Sequence, residues 1–420
     1  MQVDSSAGGM RPVALAHKSL AEYASVVGDD VIAEIEALAQ PLQGARVVHV
    51  SATAFGGGVA ELLHTLVPLM RSVGLQAEWQ IISASESFFG VTKRIHNALQ
   101  GGEIALTQAM WDTYLRTNLG NAASFEDNFD FVVVHDPQPA PLRSMVDGRG
   151  MWIWRCHIDP REAQPAVWQF LRPYIETYDA AIFTMAVFAK PDLHVGKLAI
   201  IPPAIDPLSQ KNISLPADRV AAIVTLVGVD PSRPTILQVS RFDPWKDPFG
   251  VIDVYRAVRA EVPDVQLVML GAMAHDDPEG KTFFEKTSEY ARGDPDIHLL
   301  TNAGGSIEAN AFQRQAAVIL QKSLREGFGL TVTEGLWKER PVVANNVGGI
   351  SLQIEDGVTG YLVANTEQCI ERVLAVFREP ATAIQLGRNG HEVVRNNFLS
   401  TANLRNYLRL FNELAGNGHA

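Results

Sequence analysis

Residues 316–344, "AAVILQKSLREGFGLTVTEGLWKERPVVA", combine two apolar runs with a glycine-containing loop between them. The runs at both ends lack polar alternation, which is typical of strands buried on both faces of a parallel sheet. Gly327 and Gly329 permit an unusual backbone path, and the pattern that follows them predicts a helix over 330–338. The order strand, loop, helix, strand favours a doubly wound α/β domain.

Apolar runs of the same kind recur along the chain, separated by segments of helical period. The predicted strands lie at 46–52, 131–134, 151–154, 180–183, 198–201, 235–240, 265–270, 316–320 and 341–344. A proline-rich polar stretch, 201–219, is the expected linker between two halves. We therefore predict two Rossmann-like doubly wound domains facing a cleft, 1–215 and 216–398, with a C-terminal helix within 399–420 that crosses back to the first domain.

Composition and charge narrow the classes of function. The chain has 420 residues, 47% of them apolar, and 47 acidic against 35 basic residues give a formal charge of −12. A nucleic-acid partner is not expected, because phosphate backbones require a basic face. Cys156 and Cys369 stand far apart without C-x-x-C spacing, so a reducing cytoplasm is the simplest setting. Neither a signal peptide nor a membrane-spanning run is recognised, and no membrane association is expected.

A glycine loop follows the first predicted strand. Gly56, Gly57 and Gly58 can adopt positive φ and let a ligand approach the main chain, and helical spacing begins directly after them. A glycine loop that opens a helix suits an anion or a sugar. A tight turn without a ligand explains the same residues equally well, so both interpretations stay open.

Histidines stand at the ends of two further predicted strands. His135 lies in "VHDPQP" and His157 in "RCHIDP", each near an aspartate, Asp136 and Asp159 respectively. Ligands of open α/β sheets bind beyond the carboxyl ends of the strands, which favours a role in the cleft over a purely structural one. The spacings H-x-x-x-H and H-E-x-x-H are absent here, so a zinc site is not expected.

The loop "VSRFDPWKDP" (239–248) places Arg241 and Lys246 directly after another predicted strand. A guanidinium fork and an ammonium point charge together suit the oxygens of a phosphate. The alternative is a solvated loop in which these cations form structural salt bridges to Asp243 or Asp247.

Two glutamates flank the glycine turn of the opening stretch. Glu326 precedes the turn, and Glu334 lies just over one turn inside the predicted helix. A carboxylate accepts hydrogen bonds from the paired hydroxyls of a sugar or a ribose, while free amides at a helix start attract phosphate. Alternatively, Glu334 is an exposed first-turn acid that complements the helix dipole, and Glu326 is a solvated loop residue.

Taken together, these motifs resemble the retaining glycosyltransferases of family 4, which have the GT-B fold. "EGFGLTVTE" (326–334) matches that family's Glu-x7-Glu signature, and "PVVANNVGGI" and "IEDGVTGYLV" resemble the family's usual continuation of it. "VSRFDPWKDP" is similar to the family's Arg and Lys diphosphate motif. In the first half, "SATAFGGGVAELLHTLVPLM", "VVVHDPQPAPL", "WIWRCHID" and "IPPAIDPLSQKN" resemble the nucleotide-sugar-dependent trehalose synthases of the family. Fungal-type trehalose phosphorylases, which are much longer, share much of this pattern.

The resemblance implies transfer of glucose from a nucleotide-glucose to glucose, giving α,α-trehalose reversibly. Domain 216–398 would bind the nucleotide-sugar donor: Arg241 and Lys246 would neutralise the diphosphate, Glu326 would bind glucose hydroxyls, and Glu334 would bind the ribose. Backbone amides of the turn would contact the sugar or the phosphate; they belong to Gly327, Phe328, Gly329 and Leu330.

For the first domain, the resemblance implies binding of the acceptor. His157 would lie beside the donor sugar and the reaction centre, completing a catalytic set with Arg241, Lys246 and Glu326. Gly57 would lie near both the diphosphate and the acceptor. The other implied acceptor contacts are Gly58, His135, Asp136 and Gln138.

The nucleotide-sugar is a substrate, and neither a cofactor nor an essential metal ion is expected. UDP, ADP and GDP donors all stay open, as do a different sugar or cyclitol acceptor and a homodimer. Three other functions compete with the transferase. They are a trehalose phosphorylase, a glycoside hydrolase that uses Glu326 and Glu334 as acid and nucleophile, and a nucleotide-sugar sensor without turnover.

Overall fold

The computed structural model describes residues 9–271, 278–301 and 305–417. The chain divides into two compact units. Unit 1 comprises the residues up to Pro203 together with those from Ser400 onward, and unit 2 comprises Ala204–Leu399. Each unit is built on one sheet, largely parallel in unit 1 and entirely parallel in unit 2, with helices between the strands, as the apolar runs predict.

Unit 1 contains a seven-stranded sheet in the order β1-β3-β2-β4-β5-β6-β7, in which only the β1–β3 pair is antiparallel. Its strands are β1 (Arg11–Pro12), β2 (Arg46–Ser51), β3 (Gln76–Ile81), β4 (Phe131–His135), β5 (Met151–Arg155), β6 (Ala180–Phe183) and β7 (Lys197–Ile200). The order of the strands reverses between β2 and β4, which are neighbours in the sheet.

Unit 2 contains a six-stranded, entirely parallel sheet in the order β10-β9-β8-β11-β12-β13. Its strands are β8 (Thr235–Val239), β9 (Gln266–Leu270), β10 (Ile297–Leu300), β11 (Val318–Gln321), β12 (Val342–Asn345) and β13 (Tyr361–Val363). This is the strand order of the Rossmann fold, and its switch point lies between β8 and β11. Ligands of such sheets bind beyond the carboxyl ends of the two strands at the switch point.

Helices connect the strands. Those that precede the second unit are α1 (Ala24–Val27), α2 (Asp29–Ala39), α3 (Gly58–Ser72), α4 (Glu86–Leu99), α5 (Gln108–Ala122), α6 (Leu142–Met145) and α7 (Pro165–Ile175). The remainder are α8 (Ala217–Thr225), α9 (Pro248–Arg259), α10 (Pro278–Ala291), α11 (Ser306–Gln315), α12 (Leu330–Trp337), α13 (Thr366–Arg378), α14 (Pro380–Asn397) and α15 (Ser400–Asn417). Helix α15 packs against α2 and α3, so the chain ends within unit 1.

The two faces of the unit 1 sheet differ in character. Alternate residues of β2, β4 and β5, such as Val48 and Trp154, enter a large apolar core on one face. The opposite face meets α15, where Phe131 stacks on Phe411 with ring centroids 4.4 Å apart. Because side chains alternate along a strand, His49 is placed on this second face.

The boundary between the units lies earlier than the sequence predicts, at 203/204 instead of 215/216. Segment 204–215 belongs to unit 2 because its backbone carbonyls accept hydrogen bonds from side chains of that unit. Asn310 Nδ2 donates to Gln210 O at 2.9 Å and to Ile213 O at 2.8 Å, and Arg314 also donates to Ile213 O. The proline-rich stretch is therefore a packed part of the second unit.

Candidate functional site

The switch point of unit 2 brings together the loops that follow β8 and β11. Lys246, at the end of a short 3-10 turn after β8, forms an ion pair with Glu326, which follows β11, with 2.5 Å between Nζ and Oε2. Each of these side chains is 16% exposed. The same carboxylate oxygen accepts hydrogen bonds from Ser323 Oγ at 3.2 Å and Gln321 Nε2 at 3.4 Å. These contacts fix the Glu326 carboxylate beyond the carboxyl end of β11, so Glu326 is not a solvated loop residue.

Arg241 lies earlier on the same loop and is the more accessible cation, with 67% of its side chain exposed. It forms an ion pair with Asp243 at 3.2 Å. Burial raises the pKa of Asp243 against the opposing effect of Arg241 and Lys246. Arg241 thus forms the salt bridge to Asp243 that the alternative interpretation expects but stays accessible to a ligand, whereas Lys246 pairs with Glu326 and not with an aspartate of its own loop.

Asp247 has a structural role at the start of α9. Its backbone is left-handed, with φ 46°, and its side chain accepts a hydrogen bond from Gly250 N at 3.1 Å. Lys322, which follows β11 directly, pairs with the other carboxylate oxygen at 2.7 Å. A second lysine–carboxylate pair therefore ties the loop after β8 to the loop after β11.

The turn before α12 leaves backbone amides open at a helix start. Gly329 is the left-handed N-cap of α12, and no side chain caps this helix. Gln353 Nε2 donates to Phe328 O at 2.6 Å and fixes the turn from behind. The ring of Phe328 is buried against Phe398, so this residue can meet a ligand only through its backbone. A Cβ at Gly348 would stand 1.7 Å from Glu326 O, which explains glycine at this close approach.

Glu334 lies inside α12 and is 1% exposed, so it is not the exposed first-turn acid of the alternative interpretation. Lys211 Nζ stands 3.0 Å from Oε1, and Gln313 Nε2 donates to Oε2 at 2.7 Å. Burial opposes ionisation of this carboxyl, but Lys211, Lys338 and Gln313 outweigh burial and lower the pKa of Glu334. The carboxylate is therefore a charged acceptor that is already oriented.

In unit 1 the loop after β2 enters α3 through glycines. Gly56 and Gly57 have φ of 75° and 84°, and Gly58 is the first residue of α3. A Cβ at Gly57 would meet nothing within 4 Å. The positive φ, and not a lack of space, thus requires glycine here, and the main chain stays accessible to a ligand.

Three histidines form a hydrogen-bonded chain on the same unit. His49 Nδ1 lies 2.9 Å from His135 Nε2, and His135 Nδ1 lies 2.9 Å from His157 Nε2. His135 is 1% exposed and both of its ring nitrogens are engaged. This placement does not fit the expectation that His135 contacts an acceptor directly, because only the partly buried His157 at the end of the chain can meet a ligand.

Asp136 and Gln138 follow β4 and differ in whether their side-chain oxygens already accept a hydrogen bond. Asp136 Oδ1 accepts a hydrogen bond from His157 N at 2.8 Å, so this aspartate positions the histidine. Burial raises the pKa of Asp136 to about 6. Gln138 Oε1 is buried and has no hydrogen-bond partner among the residues that the structure describes, which leaves it ready to accept one.

Sequence patterns did not point to Lys211, Gln313 or His49. Lys211 stands in the proline-rich stretch, and Gln313 lies on α11, so each reaches the site only through tertiary contacts. Across the described ranges, no group of three metal-ligating side chains could hold an ion. No helix in the described part of the chain is long and apolar enough to cross a membrane.

Comparison with solved structures shows the fold. The chain is similar to sucrose-phosphate synthase from Thermosynechococcus elongatus, with a TM-score of 0.70 at 16% identity over 89% of this chain and 99% of that one. It is equally similar to a trehalose-6-phosphate synthase, with a TM-score of 0.70 at 15% identity over 88% and 99%. A family model described as glycosyl transferases group 1 matches residues 227–393. The chain is a hexosyltransferase with the GT-B fold.

Closer relatives define the family. A model described as trehalose synthase, N-terminal domain, matches residues 49–190. The trehalose synthase of Rubrobacter xylanophilus is 51% identical over 408 residues, which cover 95% of this chain and 98% of that protein. The trehalose synthase of Thermococcus litoralis is 50% identical over 94% and 97%. This chain belongs to the trehalose synthase family. The trehalose phosphorylase of Pleurotus pulmonarius is 30% identical, and the match spans about half of it (54%).

Proposed function

We propose that the protein transfers glucose from a nucleotide-glucose donor to glucose and forms α,α-trehalose reversibly, with retention of the α configuration. The observation that carries this proposal is the partly buried Lys246–Glu326 pair at the switch point of unit 2. It sets a cation for phosphate beside an acid for sugar hydroxyls, and the relatives named trehalose synthase supply the identity of the two sugars.

Unit 2 is the proposed donor site. Arg241 and Lys246 bind the diphosphate, and the open amides between Gly327 and Leu330 add hydrogen bonds to it or to the sugar. Glu326 accepts hydrogen bonds from glucose hydroxyls, and the pre-ionised Glu334 accepts them from the ribose. UDP, ADP and GDP all stay candidates for the nucleotide of the donor, because the side chains assigned above contact the diphosphate, the glucose and the ribose and not the base.

The chemical step breaks the bond between the glucose anomeric carbon and the leaving phosphate oxygen. Negative charge develops on the diphosphate while the sugar becomes oxocarbenium-like, so cations fixed in place lower the barrier. We assign this role to Arg241 and Lys246 and require no metal ion for it. The acceptor hydroxyl attacks from the face that the phosphate leaves, and its proton passes to the leaving phosphate, which accounts for retention.

Unit 1 is the proposed acceptor site. His157 contacts the donor sugar at the reaction centre, and the glycine loop at Gly57 and Gly58 approaches the substrates through its main chain. The Asp136 carboxylate holds His157 by accepting a hydrogen bond from the backbone N–H of His157. Gln138 offers its unpaired side-chain oxygen, Oε1, to the acceptor. We place the protein in the cytoplasm, because Cys156 and Cys369 are free thiols of the kind that a reducing compartment maintains. A homodimer stays a prediction for sedimentation analysis.

The test is to incubate the protein with glucose and each nucleotide-glucose, and to identify the disaccharide and its linkage by NMR. Formation of α,α-trehalose with one of the donors supports the proposal. The phosphorylase is tested by supplying trehalose with inorganic phosphate and, separately, with a nucleoside diphosphate. Breakdown with phosphate alone would replace the proposal by the phosphorylase. The hydrolase has less support, since it would not need the two cations, Arg241 and Lys246, that the loop after β8 supplies.

A further inference from the structure

The histidine chain extends deeper into unit 1 than the proposed site. His49 stands on β2, and the ring of His135 lies between the rings of His49 and His157, with centroids 5.2 Å apart in both pairs. His49 is 0% exposed, so its own side chain does not reach a substrate. Any effect it has on the reaction must pass through His135 to His157.

The charge of the three histidine rings fixes how many N–H hydrogens they carry in total. Burial lowers the pKa of His49 to about 3 and lowers the pKa of His135 and His157 well below the usual range, with Arg155 adding to the effect on the latter two. All three rings are therefore neutral near pH 7, and each carries one N–H. Two of the three hydrogens occupy the two N···N contacts, so the third must lie at one end of the chain.

The two ends of the chain are not equivalent. His49 Nε2 is buried, has no hydrogen-bond partner among the described residues, and lies beside the ring of Tyr407 at a centroid distance of 5.8 Å. An N–H placed there would be a buried donor without an acceptor, which is unfavourable. His157 is only partly buried, so an N–H on its Nδ1 can meet solvent or a ligand. The third hydrogen therefore belongs on His157 Nδ1.

We propose that His49 is a positioning residue that fixes the tautomer of the reaction-centre histidine. His49 Nδ1–H donates to His135 Nε2, and His135 Nδ1–H donates to His157 Nε2. His157 is thereby held as an acceptor at Nε2 and presents Nδ1–H to an oxygen of the sugar substrate. The catalytic consequence rests on the proposed function, whereas the tautomer is a property of the free protein.

The direct test is NMR of the free protein labelled with ¹⁵N-histidine. The expected spectrum shows His157 protonated at Nδ1 and unprotonated at Nε2. Protonation of His157 at Nε2 would overturn the proposal. Because no substrate is present, this measurement holds even if the protein proves to use other sugars.

The catalytic part is tested with three variants. His49→Leu removes the donor to His135 and should lower kcat roughly tenfold, the factor to which the net contribution of one hydrogen bond corresponds. His49→Asn, whose amide can again donate to His135 Nε2, should recover most of the loss and keep the tautomer of His157. Val47→Ala, on the same strand and face and equally buried, is the control for lost packing.

Wild-type kcat in His49→Leu would overturn the proposal, and so would an equal loss in Val47→Ala. If His49→Leu does not fold, as judged by thermal unfolding, His49→Asn decides through its spectrum and its kcat. A folded Asn variant with a reversed His157 tautomer and full activity would contradict the role of His49.

Discussion

Replacing Lys246 with methionine tests the donor site at the ion pair that carries the proposal. The substitution removes the cation that stands 2.5 Å from Glu326 Oε2 while keeping most of the volume of the side chain. A phosphate-binding lysine that stabilises charge only as the bond breaks should affect turnover more than ground-state binding. We expect kcat/KM for the nucleotide-glucose to fall by a factor of roughly 10²–10³, or about 3–4 kcal/mol of transition-state stabilisation.

The cost in stability should be smaller than the cost in activity. Removing one partner of a fully buried ion pair typically costs about 3–5 kcal/mol. Glu326 keeps 16% exposure and its hydrogen bonds from Ser323 and Gln321, so we expect about 2 kcal/mol here. For a unit of this size that corresponds to a fall in Tm of roughly 4–8 °C. The variant stays folded at 25 °C, where activity is measured.

The assay combines steady-state kinetics, titration with the nucleoside diphosphate and thermal unfolding. Arg259→Met is the matched control, because Arg259 forms ion pairs at 2.8 Å with Asp294 and Asp296. These aspartates directly precede β10, so they lie at the amino end of that strand, whereas the donor site lies beyond the carboxyl ends of the strands. Arg259→Met should lower Tm without lowering kcat/KM. Near-normal kcat/KM in Lys246→Met would refute the assignment of Lys246, and equal losses in both variants would attribute the effect to stability.

Three other substitutions separate binding from chemistry and stability. Glu326→Gln frees Lys246 from its carboxylate, so the affinity for a nucleoside diphosphate should hold or rise while kcat falls; weaker diphosphate binding would contradict the sugar role. Lys211→Met removes a cation that opposes the effect of burial on Glu334, so the pKa of Glu334 should rise. Because the protonated acid is a poorer acceptor for the ribose, the donor KM should increase most at low pH; a pH-independent KM would count against this. Arg155→Met should raise the free energy of unfolding in urea by about 1–3 kcal/mol, since the guanidinium has no hydrogen-bond partner in the described ranges and the cost of its burial outweighs its attraction to Asp136; a decrease would mean that this attraction outweighs the burial.

Most of the fold could be predicted because its central strands are continuous Val, Ile and Leu runs. The strands that escaped prediction lie at or near the sheet edges. β10 and β13 are the outer strands of unit 2, and β3 has only a two-residue neighbour on its outer side. β3, with "QAEWQI", and β10, with "IHLL", carry polar residues, and β13 has only three residues, so none of them gives a continuous apolar run like those of the central strands.

The residues of the candidate site also differ in whether local sequence motifs or only tertiary contacts reveal them. Lys246 and Glu326 could be singled out from their motifs, because each stands in the loop that follows a strand. His49 could not, because its partner His135 is 86 residues away and nothing local distinguishes it from a packed strand histidine. Lys211 escaped for a related reason, since its stretch looks like a linker until the hydrogen bonds from Asn310 and Arg314 are seen.

A crystal structure with a bound nucleoside diphosphate tests the donor site most directly. We predict that diphosphate oxygens lie within hydrogen-bonding distance, roughly 3 Å, of both Arg241 and Lys246, with a ribose hydroxyl donating to Glu334. A diphosphate bound away from Arg241 and Lys246 would contradict the assignment of the phosphate charge to these two residues, and with it the proposed reaction.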